Sequence, residues 1–87
     1  QGNPPPAFAF RRLKVMTEPK RMGRGGKAVQ FYAAQGESRI RVVGFAMGDL
    51  ADSISVGTMI DAAGRPVLNH FNGRTSVELI LKDVELL

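Results

Sequence analysis

The stretch Ser38-Arg39-Ile40-Arg41-Val42-Val43-Gly44-Phe45-Ala46-Met47-Gly48-Asp49-Leu50 changes character part-way along. From Ser38 to about Met47, Ile40 and Val42 alternate with Arg39 and Arg41, the period-2 pattern of a half-buried strand. The run Val43-Gly44-Phe45-Ala46 breaks that phase, so a bulge or burial on both faces is expected there. Asp49 then stands as the N-cap of a short helix. Leu50 and Ile54 are four residues apart and can face one core. Gly57 ends the segment.

Upstream, two more strands are expected. The first covers about residues 8–18, with Leu13 and Val15 on one face and Arg12, Lys14 and Met16 on the other. The second covers about residues 28–34, with Val29, Phe31 and Ala33 pointing inward and Gln30 and Tyr32 outward. Between them, Pro-Lys-Arg-Met-Gly-Arg-Gly-Gly-Lys at 19–27 reads as a turn-rich loop. Gln35-Gly36-Glu37 is a hairpin turn. Downstream, a fourth strand covers about residues 58–69, with Ile60, Ala62 and Leu68 in one phase. Gly64 and Pro66 argue for a bend or an edge in it. Asn72-Gly73 is the strongest hairpin signal in the chain, typical of a type I′ turn. A fifth strand covers about residues 74–84, with Val77, Leu79 and Leu81 inward and Ser76, Glu78 and Lys82 outward.

Three strands, a short helix and two strands make an all-β chain. The order is that of a five-stranded OB-fold Greek-key barrel with a short helix between strands 3 and 4. An SH3-like barrel competes, but it usually lacks a helix at that point. With 87 residues the chain is one domain. Residues 1–7, Gln-Gly-Asn-Pro-Pro-Pro-Ala, read as the proline-rich end of a linker, and 8–87 as the OB-fold nucleic-acid-binding domain. Starting at Gln1, the chain reads as a piece of a longer one. It has no cysteine, which excludes disulfides and thiolate zinc sites. No apolar run approaches the roughly 18 residues of a membrane span, and the N-terminus is not a secretion signal. A cytoplasmic location is expected.

The charge is uneven. Residues 1–41 hold nine Lys/Arg and two acids, about +7 by count, and residues 42–87 hold three Lys/Arg and six acids, about −3. Such a field suits a polyanionic partner, although a merely solvated basic surface has the same count. OB folds bind oligonucleotides on the face of strands two and three, between the loops that join strands 1–2 and 4–5. The 1–2 loop carries Lys20, Arg21, Arg24 and Lys27. The outward phase of strands two and three carries Gln30, Tyr32, Arg39 and Arg41. The 4–5 loop carries His70, Phe71, Asn72 and Arg74. The cations neutralise phosphates, and Tyr32 and Phe71 offer rings on which bases stack. The alternatives are a solvated loop, a Tyr32 ring packed on a neighbour, and a Phe71 that plugs the bottom of the barrel. With six aromatics in all, the core is favoured for Phe71 and the stacking platform is thin.

Other signals are weak. Gly26-Lys27 resembles the end of a P-loop, but Ala28 stands where Ser or Thr is needed and no helix follows. Gly23-Arg24-Gly25-Gly26 fits the GxxG of KH domains, yet strands flank it. His70 is the single histidine, too few for a metal cluster. Asp49 and Asp52 read as a cap and a solvated acid, and Asp83 and Glu85 lie near the end of the chain. No hydrolytic constellation is evident.

Four segments in order resemble one family. Gly2-Asn3-Pro4-Pro5-Pro6-Ala7-Phe8 resembles the lead-in to the OB domain of RecJ exonucleases. Phe45-Ala46-Met47-Gly48-Asp49-Leu50 is similar to its passage from strand three into the short helix. Asn69-His70-Phe71-Asn72-Gly73-Arg74 is similar to its Asn-x-aromatic-Asn-Gly-Arg hairpin. Val77-Glu78-Leu79-Ile80-Leu81-Lys82-Asp83-Val84 resembles its last strand. The resemblance implies a single-stranded-DNA-binding domain of a 5′→3′ single-strand-specific exonuclease that acts in recombination and repair. It implies separate DHH-type catalytic domains as partners, using Mg or Mn, and no catalysis or cofactor in this chain. Two departures stand out: Phe71 where Trp is common, and an unusually basic 1–2 loop. The second reading is a structural or protein-interaction module, which buttresses the nuclease core or docks the acidic tail of a single-strand-binding protein.

Overall fold

The computed structural model describes residues 8–87; the linker expected at 1–7 lies outside them. Six strands form: β1 (Phe8–Val15), β2 (Lys20–Met22), β3 (Ala28–Gln35), β4 (Ser38–Gly44), β5 (Met59–Phe71) and β6 (Arg74–Leu86). Two short 3-10 turns interrupt them, at Arg24–Gly26 and Gly48–Asp52.

Apolar alternation drives the strands together. Leu13, Val15, Val29, Phe31, Ala33, Val42, Ile60, Ala62, Leu79 and Leu81 point into one cluster, closed at one end by Ile54. Each large side chain so buried contributes about 1.5–3 kcal/mol. No flat sheet converges all these residues, so the sheet curls. β1 pairs with β5, β5 with β6, β6 with β4, β4 with β3, and β3 returns to β1 through Lys14↔Ala34 and Val15↔Ala33. The result is the expected five-stranded OB ring, with β2 added outside on β3. The β4–β6 pairing is parallel and the others are antiparallel.

Two bulges bend the ring, each placing one extra residue opposite β5. In β1 the register moves from Phe10↔Ala62 to Leu13↔Ile60. Arg12 sits there at φ 57° and donates its backbone N–H to Asp61 Oδ1 at 2.9 Å. In β6 the register moves from Ala63↔Asp83 to Gly64↔Leu81. The predicted break at Val43-Gly44-Phe45-Ala46 is burial on both faces, since Val42, Val43 and Gly44 are all buried and the strand then ends.

Several expectations are corrected. The short helix expected after β4 is present as a 3-10 turn, but Asp49 is not its N-cap; Met47 holds that place with no side-chain cap. Asp49 is drawn to Arg21 instead. The 19–27 loop contains β2, because the edge of β3 offers backbone partners from Ala28 to Gln30. Leu68 and Val77 have the predicted phase but are exposed. Among the described residues the β5–β6 hairpin extends past its partners: β1 pairing reaches Phe8↔Gly64 and β4 pairing reaches Arg41↔Glu78. The Asn72-Gly73 turn forms as expected, with φ 51° and 75°.

Gly64 lies at the β6 register shift, against Leu79 and Ile80. A Cβ there would collide with the Ile80 carbonyl oxygen and press on Leu79. Gly64→Ala is expected to cost about 1–3 kcal/mol through overpacking. Urea unfolding would show this as a lower midpoint at an unchanged m-value.

Candidate nucleic-acid interface

The strand pairings decide which outward residues meet. Tyr32 lies opposite Arg41, and Ala34 opposite Arg39, so Tyr32, Arg39 and Arg41 share one face of the β3–β4 hairpin. Lys20 lies opposite Gln30, which adds it to the same face. Across the parallel pair, Arg41 lies opposite Glu78. The protruding hairpin rises beside this face and carries Asn69 and Phe71. Together these walls form a groove of about 760 Å³, lined among others by Tyr32, Arg39, Arg41, Asn69, Phe71 and Glu78.

The rings are available. Tyr32 is 44% exposed and Phe71 74%, so the expectation of Phe71 as a barrel plug is overturned. The hairpin carries it past the core. The backbone of Tyr32 is fixed from the side opposite β4: its N–H donates to Thr17 Oγ1 at 2.8 Å, and its carbonyl accepts from the Met16 N–H at 2.8 Å.

The predicted cations divide into groups. Lys20 borders Tyr32 and Arg41 in a recess adjoining the groove. Arg21 and Lys27 line a different recess with Ala46, Gly48 and Asp49. Arg24 sits on the exposed 3-10 turn and Arg74 at the hairpin tip, opposite Phe71. The basic loop thus brings Lys20 to the recess beside the groove and leaves Arg21, Arg24 and Lys27 farther off.

Three ion pairs occur among the described residues, and they engage Arg21 and Arg41. Arg21 meets Asp52 and, at 3.5 Å, Asp49. The hydrogen bond to Asp52 and the charge of that carboxylate hold the Arg21 pKa above its ordinary value. This tether, with the Gly48 N–H donating to the Lys27 carbonyl at 2.9 Å, docks the basic loop on the 3-10 turn. Arg41 Nη1 donates to Glu78 Oε2 at 2.6 Å, and Arg41 Nη2 donates to Gln30 Oε1. Asn69 Nδ2 donates to the same Glu78 oxygen at 2.8 Å. Glu78 and Asn69 were not anticipated as site residues. The outward phase of Glu78 was visible, but its meeting with Arg41 depends on a parallel register across 37 residues. Lys20, Arg24, Lys27, Arg39 and Arg74 are in none of the three pairs.

Among the described residues no three His, Asp or Glu side chains gather as metal ligands. Among the described residues no helix is long and apolar enough to cross a membrane.

A family profile described as the RecJ OB domain matches residues 1–83. The chain belongs to the RecJ OB domain family. A search of curated protein sequences found no match. Among solved structures, the SSB domain of a Synechococcus sp. protein is similar with a TM-score of 0.75 at 18% identity, over 97% of this chain and 98% of that one. The second single-stranded DNA binding protein of Mycobacterium smegmatis gives 0.72 at 22%, over 94% and 86%. A mitochondrial single-stranded DNA binding protein of S. cerevisiae gives 0.66 at 14%, over 93% of each chain. At these identities the likeness establishes the OB fold of this RecJ OB domain.

The exposure of Phe71 has a stability consequence. Phe71→Ala is expected to change the unfolding free energy by no more than about 0.5 kcal/mol, as for other surface sites. A loss of about 3 kcal/mol or more in urea unfolding would return the ring to the core.

Proposed function

We propose that this domain binds single-stranded DNA along the outer face of β2, β3 and β4 and beneath the β5–β6 hairpin. The observation that carries the reading is the juxtaposition of Tyr32, Arg39 and Phe71 around one groove, with Lys20 at its margin. Phosphates are neutralised by Lys20, Arg39 and Arg74, and by Arg24 and Lys27 where the strand continues past the loop. Bases stack on Tyr32 and Phe71. The names of the similar structures support the ligand, since two are single-stranded DNA binding proteins. Family membership supports the setting. In it, the domain guides the strand in a RecJ-type 5′→3′ exonuclease of recombination and repair. DHH-type catalytic domains elsewhere in that protein would supply hydrolysis with Mg or Mn, in the cytoplasm.

A second reading has its own observation. Leu68 and Val77 lie opposite each other on the hairpin and are both exposed. Such a patch suits packing against another protein surface, which would make the domain a buttress of the nuclease core.

The test is fluorescence anisotropy of a labelled oligo-dT over a salt series, with duplex competitor. The expected result is preference for single strands, with affinity falling steeply as salt rises. Tyr32→Ala should cost about 1–3 kcal/mol of binding. Because Tyr32 is the sole tyrosine and the chain has no tryptophan, its emission should also change on binding. No binding at low salt by the folded chain would reject the reading and favour the buttress.

A further inference from the structure

The centre of the groove is electrically different from its margins. Arg41 is compensated by Glu78 at 2.6 Å, and this carboxylate is only 13% exposed. Gln30 and Asn69 complete the cluster with neutral amides. Four side chains from β3, β4, β5 and β6 therefore sum to zero charge. Lys20 and Arg39, on the same face, are in no ion pair among the described residues. A phosphate arriving at Arg41 would meet the Glu78 carboxylate beside it, and like charges in a partly desolvated site repel. A neutral base meets no such penalty.

The atoms of the cluster also suit a base. Glu78 Oε2 takes the hydrogen bonds from both Arg41 and Asn69, while Oε1 takes none among the described residues. Among the described residues no buried side-chain oxygen or nitrogen lacks a partner, so Oε1 reaches solvent and remains an acceptor. The guanidinium of Arg41 is held at both ends by Glu78 and Gln30, and Arg41 lies opposite Tyr32 on the neighbouring strand. Arginine planes stack on flat π-systems as well as bind phosphate.

We propose that the Arg41–Glu78 pair is a base-contacting centre of the groove and not a phosphate contact. The inference rests on the single-strand reading above and assigns a division of labour within it. Arg39 and Lys20 hold the backbone, and Arg41, oriented by Glu78, holds a base.

Salt dependence separates the two roles, because each phosphate contact to a single strand contributes about 0.7 to the slope of log K against log salt. Oligo-dT affinity would be measured over a salt series for the 87-residue chain, with urea midpoints confirming that each variant folds. Arg39→Gln is expected to flatten the slope by about 0.7. The double variant Arg41→Gln with Glu78→Gln removes both charges together and avoids stranding either one. It is expected to weaken binding about tenfold at every salt concentration while leaving the slope unchanged. Glu78→Gln alone uncovers the Arg41 charge and should steepen the slope by up to about 0.7. The proposal is overturned if the double variant flattens the slope as Arg39→Gln does. It is also overturned if the double variant binds like the wild type, which would make the pair only a contact that closes the barrel. Absence of wild-type binding overturns the single-strand reading, and this inference with it.

Discussion

A five-stranded sheet buries its apolar face only when its first strand reaches across to meet another wall, and here two residue pairs make that reach. Lys14↔Ala34 and Val15↔Ala33 close the ring, while the earlier part of β1 stays on β5. The strand must therefore change direction within eight residues. The extra residue at Arg12 supplies the change, in a left-handed backbone that costs about 1–2 kcal/mol outside glycine. The Asp61 carboxylate, accepting the freed N–H, offsets part of that cost. Closure then positions the site. The chain just beyond the closing pairs supplies Met16 and Thr17, which hold the Tyr32 backbone. Any loss of curvature in β1 would move the ring that faces the groove.

The same closure redistributes charge. Counted along the sequence, the first half is strongly basic and the second acidic, as though they belonged to separate surfaces. In the fold they interleave. Asp49 and Asp52 come to Arg21, and Glu78 comes to Arg41. These pairs differ in kind. The Arg21 pairs are exposed, so water and salt screen them and a phosphate can displace the acids. The Arg41 pair is partly buried and carries two further hydrogen bonds, so its geometry persists. The pairs engage Arg21 and Arg41 and leave Lys20, Arg39 and Arg74 in none of them.

What could be read from the sequence follows from the range of each cause. The phases of β3 and β4 were legible because a tight turn sets their register and burial on one side sets their alternation. The Asn72-Gly73 turn was legible because its backbone needs are local. Strand β2 was not, because Lys20–Met22 has no alternation of its own and exists only where β3 offers an edge. Asp49 looked like a cap because its type and place fit one, but a cation 28 residues away claims the carboxylate. Leu68 and Val77 show a subtler limit. Period 2 says which side a residue faces, and nothing in it says how far along the strand the opposite wall continues.

Composition also misjudged the aromatics. Six aromatics in a small domain suggest that several must serve the core. The core is instead aliphatic, with Phe31 the one aromatic buried within it and Phe10 packed against it. β-branched and leucine side chains fill a narrow barrel more readily than rings, because successive inward positions lie close across the ring. Phe8, Phe45, Tyr32 and Phe71 are left outside. Isolated exposed aromatics are ordinary on protein surfaces. Two of these four are not isolated: Tyr32 and Phe71 face one groove whose margins are cationic and whose centre is neutral and polar. A flat π-face bearing periodic negative charge is complementary to that alternation in a way that an acidic peptide, with charge and no regular stack of rings, is not. The arrangement of the rings, more than the number of cations, is what favours the proposed nucleic-acid ligand over an acidic peptide.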